Sequence, residues 1–317
     1  MDIGLAFFVY TRPKHTAKVV ETIKKNKFKN IYVFQDGLKK ESQRENWEEV
    51  SRIIETLRED SSVNVEVHKS DKNKGLARSI IFGVSYVFER HEAVIALEDD
   101  VVLSKDYCDY ANRCFDLYKD DQRVMSICGS GISDAVVADK EYMDGYPYDV
   151  YFSPRMSSVA FGTWRDRWAK FQYGKEYAKK ILTDFRLCNK ITRNAGKDLL
   201  FMLDCVVSNP DNIDTWATFW CVMQAVADGV TVVPVKALAK DIGRDGTGTN
   251  TKEETDRFKT TLHDLDFMPK LPVKDDVIVE RYLCKRLNRV VEVGNPLKLW
   301  IKVLLLELKW SIFKNDF

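Results

Sequence analysis

Through the first 130 residues, short apolar runs alternate with amphipathic stretches, and the two periods can be told apart. Residues 3–10 are apolar and predict a strand. Residues 13–25 predict a helix, with Thr11 as its N-cap and Pro13 suited to its first turn. A second short strand over 31–34 ends in the turn-forming Gln35-Asp36-Gly37, and a charged helix follows over about 41–58. Residues 63–68 give a third strand. Over 75–89 the side chains of Leu76, Ile80, Gly83, Val84 and Val87 share one helical face. Residues 93–97 are wholly apolar, the signature of a strand inside a parallel sheet covered on both sides. Ser104 is placed to cap another helix, and 124–128 makes a fifth strand. Strand–helix alternation at this spacing predicts an α/β fold, a mainly parallel sheet with helices on both faces. Such sheets bind their ligands at the carboxyl ends of the strands. Thr11-Arg12, Asp36-Gly37 and Glu98-Asp99-Asp100 all fall there.

The pattern then changes. Residues 129–175 are rich in Gly, Tyr, Ser and Trp and show little periodicity; helical patterns return near 175–187 and 215–228. A short strand over 230–233 leads into Asp241-Ile242-Gly243-Arg244-Asp245-Gly246-Thr247-Gly248-Thr249-Asn250. This second part reads as a subdomain built onto the sheet.

Composition narrows the function classes. With 49 basic and 48 acidic residues among 317, the net charge is +1, which gives no basic excess for a nucleic-acid partner. The seven cysteines are scattered, form no CxxC pair and are joined by only four histidines, so a structural zinc site is not expected. Cysteines in apolar runs read as reduced and buried, which favours the cytoplasm. The chain opens directly on a strand-like segment without the features of a signal peptide, and no window of 18 uncharged apolar residues predicts a membrane span.

The triplet Glu98-Asp99-Asp100 places three carboxylates immediately beyond a buried strand. Adjacent negative charges repel, and desolvating them is costly. A divalent cation relieves both problems, and Mn2+ or Mg2+ would take one or two such oxygens and complete its shell from phosphates and water. An acidic loop favouring the following helix dipole is the plainer reading; the apolar strand before the triplet and its place in the αβ series favour the cation.

The segments Asn73-Lys74-Gly75-Leu76-Ala77, Val94-Ile95-Ala96-Leu97-Glu98-Asp99-Asp100 and Ser104-Lys105-Asp106-Tyr107 resemble, in this order, the GT-A glycosyltransferases. Nearest in pattern are the bacterial sugar transferases of surface-polysaccharide pathways and the N-acetylglucosaminyltransferase I type, with an Glu-Asp-Asp form of the DxD motif. The likeness continues through Ser153-Pro154-Arg155, Phe161-Gly162-Thr163-Trp164-Arg165-Asp166-Arg167-Trp168, Asp214-Thr215-Trp216 and the 242–249 loop, and so covers about residues 3–250. It implies that Asp100 contacts the metal, while Glu98 and Asp99 orient sugar, ribose or metal-bound water. It further implies that Tyr10, Thr11 and Arg12 hold the nucleoside, and that Asp36 meets base or ribose. Relatives end the last loop in Gly-Thr-His, where this chain has Asn250.

The implied organisation is a donor-binding α/β half over 1–130, an acceptor-binding and catalytic half of the same domain over 131–260, and a helical extension over 261–317. The implied activity is transfer of a sugar, with inversion, from a nucleotide-diphosphate donor such as a UDP-sugar to a glycan or lipid-linked glycan hydroxyl. Two rivals are a sugar nucleotidyltransferase, which would need a glycine-rich loop that Tyr10-Thr11-Arg12-Pro13 lacks, and an inactive glycan-binding or scaffold protein on the same fold.

Further residues follow from position. Lys74 is placed to approach the diphosphate, and Gly246, Thr247 and Gly248 supply small residues where amides must come close to phosphate. The segment 162–168 is expected to line sugar or acceptor, with Trp164 and Trp168 four apart on one helix and packed into the core. Asp214 is the expected catalytic base, alternatively the N-cap of the helix it precedes; Asp211 and Asp204 are its fallbacks. From Pro296 onward, Lys298, Lys302 and Lys309 share a face opposite Trp300, Val303, Leu304, Leu308 and Trp310. That arrangement fits a helix lying on the inner face of the membrane, or one packed on the core or on a second copy.

Overall fold

The computed structural model describes residues 1–209, 214–246, 258–292 and 296–313. Strand β1 (Ile3–Val9), helix α1 (Pro13–Lys25), β2 (Asn30–Gln35), α2 (Arg44–Glu55), β3 (Asn64–Lys69), α3 (Leu76–Phe88) and β4 (Ala93–Glu98) follow one another as the alternating pattern predicts. Helix α2 is shorter than expected because tighter 3₁₀ pieces, Glu41–Gln43 and Thr56–Glu59, flank it. After β4 come β5 (Val101–Leu103), α4 (Tyr107–Tyr118) and β6 (Val124–Ile127).

The sheet is mixed, mainly parallel and eight-stranded. Strand β1 sits between β2 and β4, and β3 forms one edge, all four parallel. Two strands had no periodic signature: β7 (Val150–Ser153), after the short helix α5 (Lys140–Asp144), and β8 (Phe161–Trp164). Strand β8 inserts between β4 and β6, antiparallel to both. Beyond β6 lie β9 (Val230–Pro234), parallel to it, and β7, antiparallel to β9, giving the order β3-β2-β1-β4-β8-β6-β9-β7.

Alternation along β1 divides the core. Leu5, Phe7 and Val9 face α1, α2 and α4 on one side, while Ala6 and Phe8 face α3 on the other. The second side also receives α7 (Lys175–Leu182), α8 (Phe185–Asn194), α9 (Asp198–Ser208) and α10 (Ala217–Val226), which follow the four-residue α6 (Arg165–Trp168). The single helix expected over 175–187 is broken because Asp184 caps α8, its Oδ1 accepting from the amides of Arg186 and Leu187. A two-stranded ribbon joins β5 to β10 (Ala239–Asp241). Helices α11 (Arg281–Val291) and α12 (Pro296–Phe313) close the chain.

Other local expectations are corrected. Arg12, not Thr11, occupies the N-cap of α1, and no side chain caps that helix. Asp106 precedes α4, whereas Ser104 donates to Asp264. Trp164 ends β8 and Trp168 lies in α6, so they share no helix. Both are buried with Phe161 and Thr163. Apart from the exposed Arg165 and Asp166, the segment 162–168 is therefore buried rather than sugar-facing surface.

Candidate functional site

The carboxyl ends of β1, β2 and β4 point to one edge of the sheet, and the chain reverses there through short polar loops. Because β4 is apolar and central, its last residues carry Glu98, Asp99 and Asp100 out of a dry interior together. Asp99 is buried, and its Oδ2 accepts the Tyr10 amide at 3.3 Å. Arg12 leaves the end of β1 and spans two acids, its Nη2 donating to Asp99 Oδ1 at 2.5 Å and Asp100 Oδ2 at 2.8 Å. Burial opposes the Arg12 cation, but the two carboxylates outweigh it and hold the guanidinium charged more firmly than usual. Tyr10 donates its hydroxyl to Gln43, and Thr11 is buried beside them.

A fourth carboxylate joins this group. Asp241 ends β10, which the ribbon pairs with Val101, directly after the acidic triplet. Burial raises the Glu98 carboxyl well above its ordinary range, and Asp100, Asp99 and Asp241 push it further. Asp99 is raised by burial and pulled back by Arg12; Asp241 is raised by burial and by Asp100. Asp241 accepts from the Gly243 amide at 2.8 Å and Arg244 Nε at 3.0 Å, and His15 meets Asp245 at 3.1 Å. Nothing in the sequence marked Asp241 beyond its place before Ile242-Gly243; only the antiparallel ribbon brings it back to the triplet.

Gly243 leaves room at Asp100. A Cβ there would stand 2.0 Å from Asp100 Oδ2. Among the described residues no three acidic, His or Cys groups converge tightly enough to hold a metal by themselves. Crowded acids around a partly buried Asp100 instead suit a magnesium- or manganese-like ion that takes one or two protein oxygens and the remainder from phosphate and water.

A second pair of acids shapes the entry to α3. Asp36 accepts from the amides of Lys74 at 2.9 Å and Gly75 at 3.0 Å. Asp214 accepts from the next two amides, Leu76 at 2.5 Å and Ala77 at 2.8 Å. Four successive N–H groups at a helix start are thus taken by carboxylates from distant parts of the chain. Asp36 does more than shape its own turn. Asp214 caps a helix, but α3 rather than its own α10, whose start carries Trp216 at the N-cap. Lys74 turns its ammonium over the Phe82 ring at 4.6 Å.

Beside these groups lies a cavity of about 210 Å³. Thr215, Asp241 and Arg244 line it with polar groups, and Met156, Leu199 and Met202 with apolar ones. Gly246 ends the described part of the glycine-rich loop in a left-handed conformation, φ +84°. Thr247, Gly248, Asn250 and Asp211 lie outside the described residues. Asp204, a fallback base, is committed elsewhere, accepting from Lys309 at 2.6 Å and Trp310 at 3.0 Å.

No protein-family model matches the chain, and no curated protein does. Similar solved structures include residues 1–349 of TarS from S. aureus, 13% identical over 52% of this chain and 47% of that one, TM-score 0.36. The mannosyltransferase PcManGT from Pyrobaculum calidifontis, in complex with GDP-Man and Mn2+, is 11% identical over 71% and 69%, TM-score 0.42. GalNAc-T7 with UDP, GalNAc and Mn2+ is 10% identical over 74% and 43%, TM-score 0.46. The chain thus spans less than half the length of two of these three. Likenesses this remote say nothing of its ligands or reaction.

Proposed function

We propose that this chain is a metal-dependent glycosyltransferase that moves a sugar from a nucleotide-diphosphate donor, a UDP-sugar, to a glycan hydroxyl with inversion. The observation that carries this reading is the meeting of Arg12 with Asp99 and Asp100 at the carboxyl edge of the sheet, beside Asp241 and the cavity. The ordered sequence resemblance supports a reaction in surface-polysaccharide synthesis.

Roles follow from position. Tyr10, Thr11, Arg12 and Asp36 receive the nucleoside and ribose, with Glu98 and Asp99 towards the sugar. Asp100 would hold Mn2+ or Mg2+, an ion that when bound supplies positive charge to a departing diphosphate. By residue type Gly246, Thr247 and Gly248 are assigned to the phosphates, and Lys74 to the diphosphate side of the α3 entry. The cavity takes the acceptor. Asp214 precedes the cavity-lining Thr215 and is the proposed base. A carboxylate offers about four lone-pair positions, and two amides leave room for a third donor, the acceptor hydroxyl.

Thermal denaturation with Mn2+ and UDP tests the reading, because a ligand that binds only the native state raises its apparent stability. Wild type should be stabilised by the pair together, and Asp100→Ala should lose that gain while keeping its fold. Equal stabilisation of both proteins would remove Asp100 from the metal site. Release of pyrophosphate, rather than free nucleoside diphosphate and sugar, would point to a nucleotidyltransferase. Absence of both turnover and ligand stabilisation would leave a scaffold.

A further inference from the structure

The C-terminal helices carry a charge that the remainder of the protein does not share. Helix α11 has four basic residues and α12 three, against the single acid Glu307, in a chain whose totals balance at 49 basic to 48 acidic. Helix α11 buries Leu283 and Leu287 and turns Arg286 to the carbonyls of Ala135 and Val136. Its outer face presents Arg281, Lys285 and Arg289, exposed at four-residue spacing.

Helix α12 is apolar on two sides. Val303, Leu306 and Trp310 pack inward with Leu200, Leu203 and Val207 of α9, and Lys309 and Trp310 both donate to Asp204. Outward, Ile301, Leu304 and Leu305 are 45%, 37% and 60% exposed, with the exposed Lys302 among them. The sequence pattern had put Leu304 on the same face as Val303 and Trp310; the fold separates them. Helix α12 packs on α9, whereas α11 packs on Val136 and Tyr151; the end of α11 reaches the start of α9 where Glu292 accepts the Lys197 amide at 2.8 Å.

We infer that α11 and α12 together form a docking surface for an anionic lipid bilayer, with α12 lying in the interface and α11 set against the headgroups. No described helix is long and apolar enough to cross a membrane. An apolar stripe flanked by cations fits a helix that lies in the interface plane. Charge also chooses between occupants, because a second copy would bring one unneutralised basic stripe against another.

Flotation of the full chain with vesicles tests this. Wild type should float with phosphatidylglycerol–phosphatidylcholine vesicles at low salt, weakly with phosphatidylcholine alone, and less at high salt. The triple variant Arg281→Glu, Lys285→Glu, Arg289→Glu should partition at least on the order of a hundredfold less, since each cation near an anionic surface contributes about fivefold. Leu305→Glu should lose binding to both vesicle types. Both variants should melt as wild type does and keep any stabilisation by Mn2+ and UDP, so the outcome is independent of the donor site. The proposal is overturned if wild type stays with the soluble fraction, or if both variants float equally well. Light scattering that shows a dimer dissolved by Leu305→Glu, without vesicle binding, would assign the stripe to a second copy instead.

Discussion

Gly243 and Asp100 show how single atoms limit the site. The 2.0 Å approach of a Cβ to Asp100 Oδ2 is closer than real side chains tolerate, so Gly243→Ala must displace the carboxylate. No positive φ burdens that position, and the fold should survive with little change in melting temperature. The expected result is loss of most Mn2+-dependent stabilisation by UDP; a full wild-type response would show that Asp100 can move without consequence. Gly75 is constrained twice, by φ +80° and by Asp214 Oδ2 standing 2.5 Å from its would-be Cβ. The cysteines give a check on burial. Burial pushes Cys108 up to about 11 and Cys128 and Cys284 up to about 12, leaving few thiolates at pH 8. Cys205 alone is exposed. A thiol reagent should therefore label one cysteine rapidly in the native protein, and Cys205→Ser should abolish that phase. Rapid labelling of several would contradict the burial of Cys108, Cys114, Cys128, Cys188 and Cys221.

At the scale of elements, the start of α3 is the most informative. Its amides are held by Asp36 and Asp214, so this helix end binds protein carboxylates and fixes the loop that carries Lys74. Asp214→Asn cannot imitate this arrangement, because an amide offers one acceptor oxygen and turns its NH2 group against the second backbone N–H. The variant should lose about 1–3 kcal/mol of stability from one unsatisfied group, whatever its catalytic role. Turnover separates the roles. If Asp214 is the base, kcat should fall about 10²–10⁴-fold with donor KM unchanged. If it only fixes α3, donor KM should rise and kcat should survive. The acidic triplet and the apolar β4 before it were legible because both are local features of one short segment. Asp214's partners were not, since they lie 137 and 138 residues away.

For the whole molecule, β8 decides how the halves are joined. It pairs with β4 on one side and β6 on the other, so sheet and core run across any boundary near residue 130. A fragment of residues 1–130 would expose the edge of β4 and the apolar face that α3 shares with α9 and α10. Such a fragment should show no cooperative thermal unfolding, whereas the full chain should unfold in one transition by circular dichroism. A sharp transition in the fragment would make the first half an autonomous domain.

The chain by itself determined the parallel half of the sheet. Residues 3–10, 31–34 and 93–97 are short apolar runs between helical patterns, and local period alone separates them. It also placed Arg12, Asp36 and Glu98-Asp99-Asp100 at one edge, because parallel strands joined by crossover helices bring their carboxyl ends together. Tertiary structure decided the remainder. Strands β7 and β8 carry no alternation, being buried on both faces, and their pairing is a long-range choice that sequence spacing does not encode. Asp241 became part of the acidic group only when β10 folded back on β5. The apolar residues of α12 divided into buried and exposed sets only when α9 occupied one side. A local pattern fixes what an element is, whereas contacts across a hundred residues or more fix what its side chains meet.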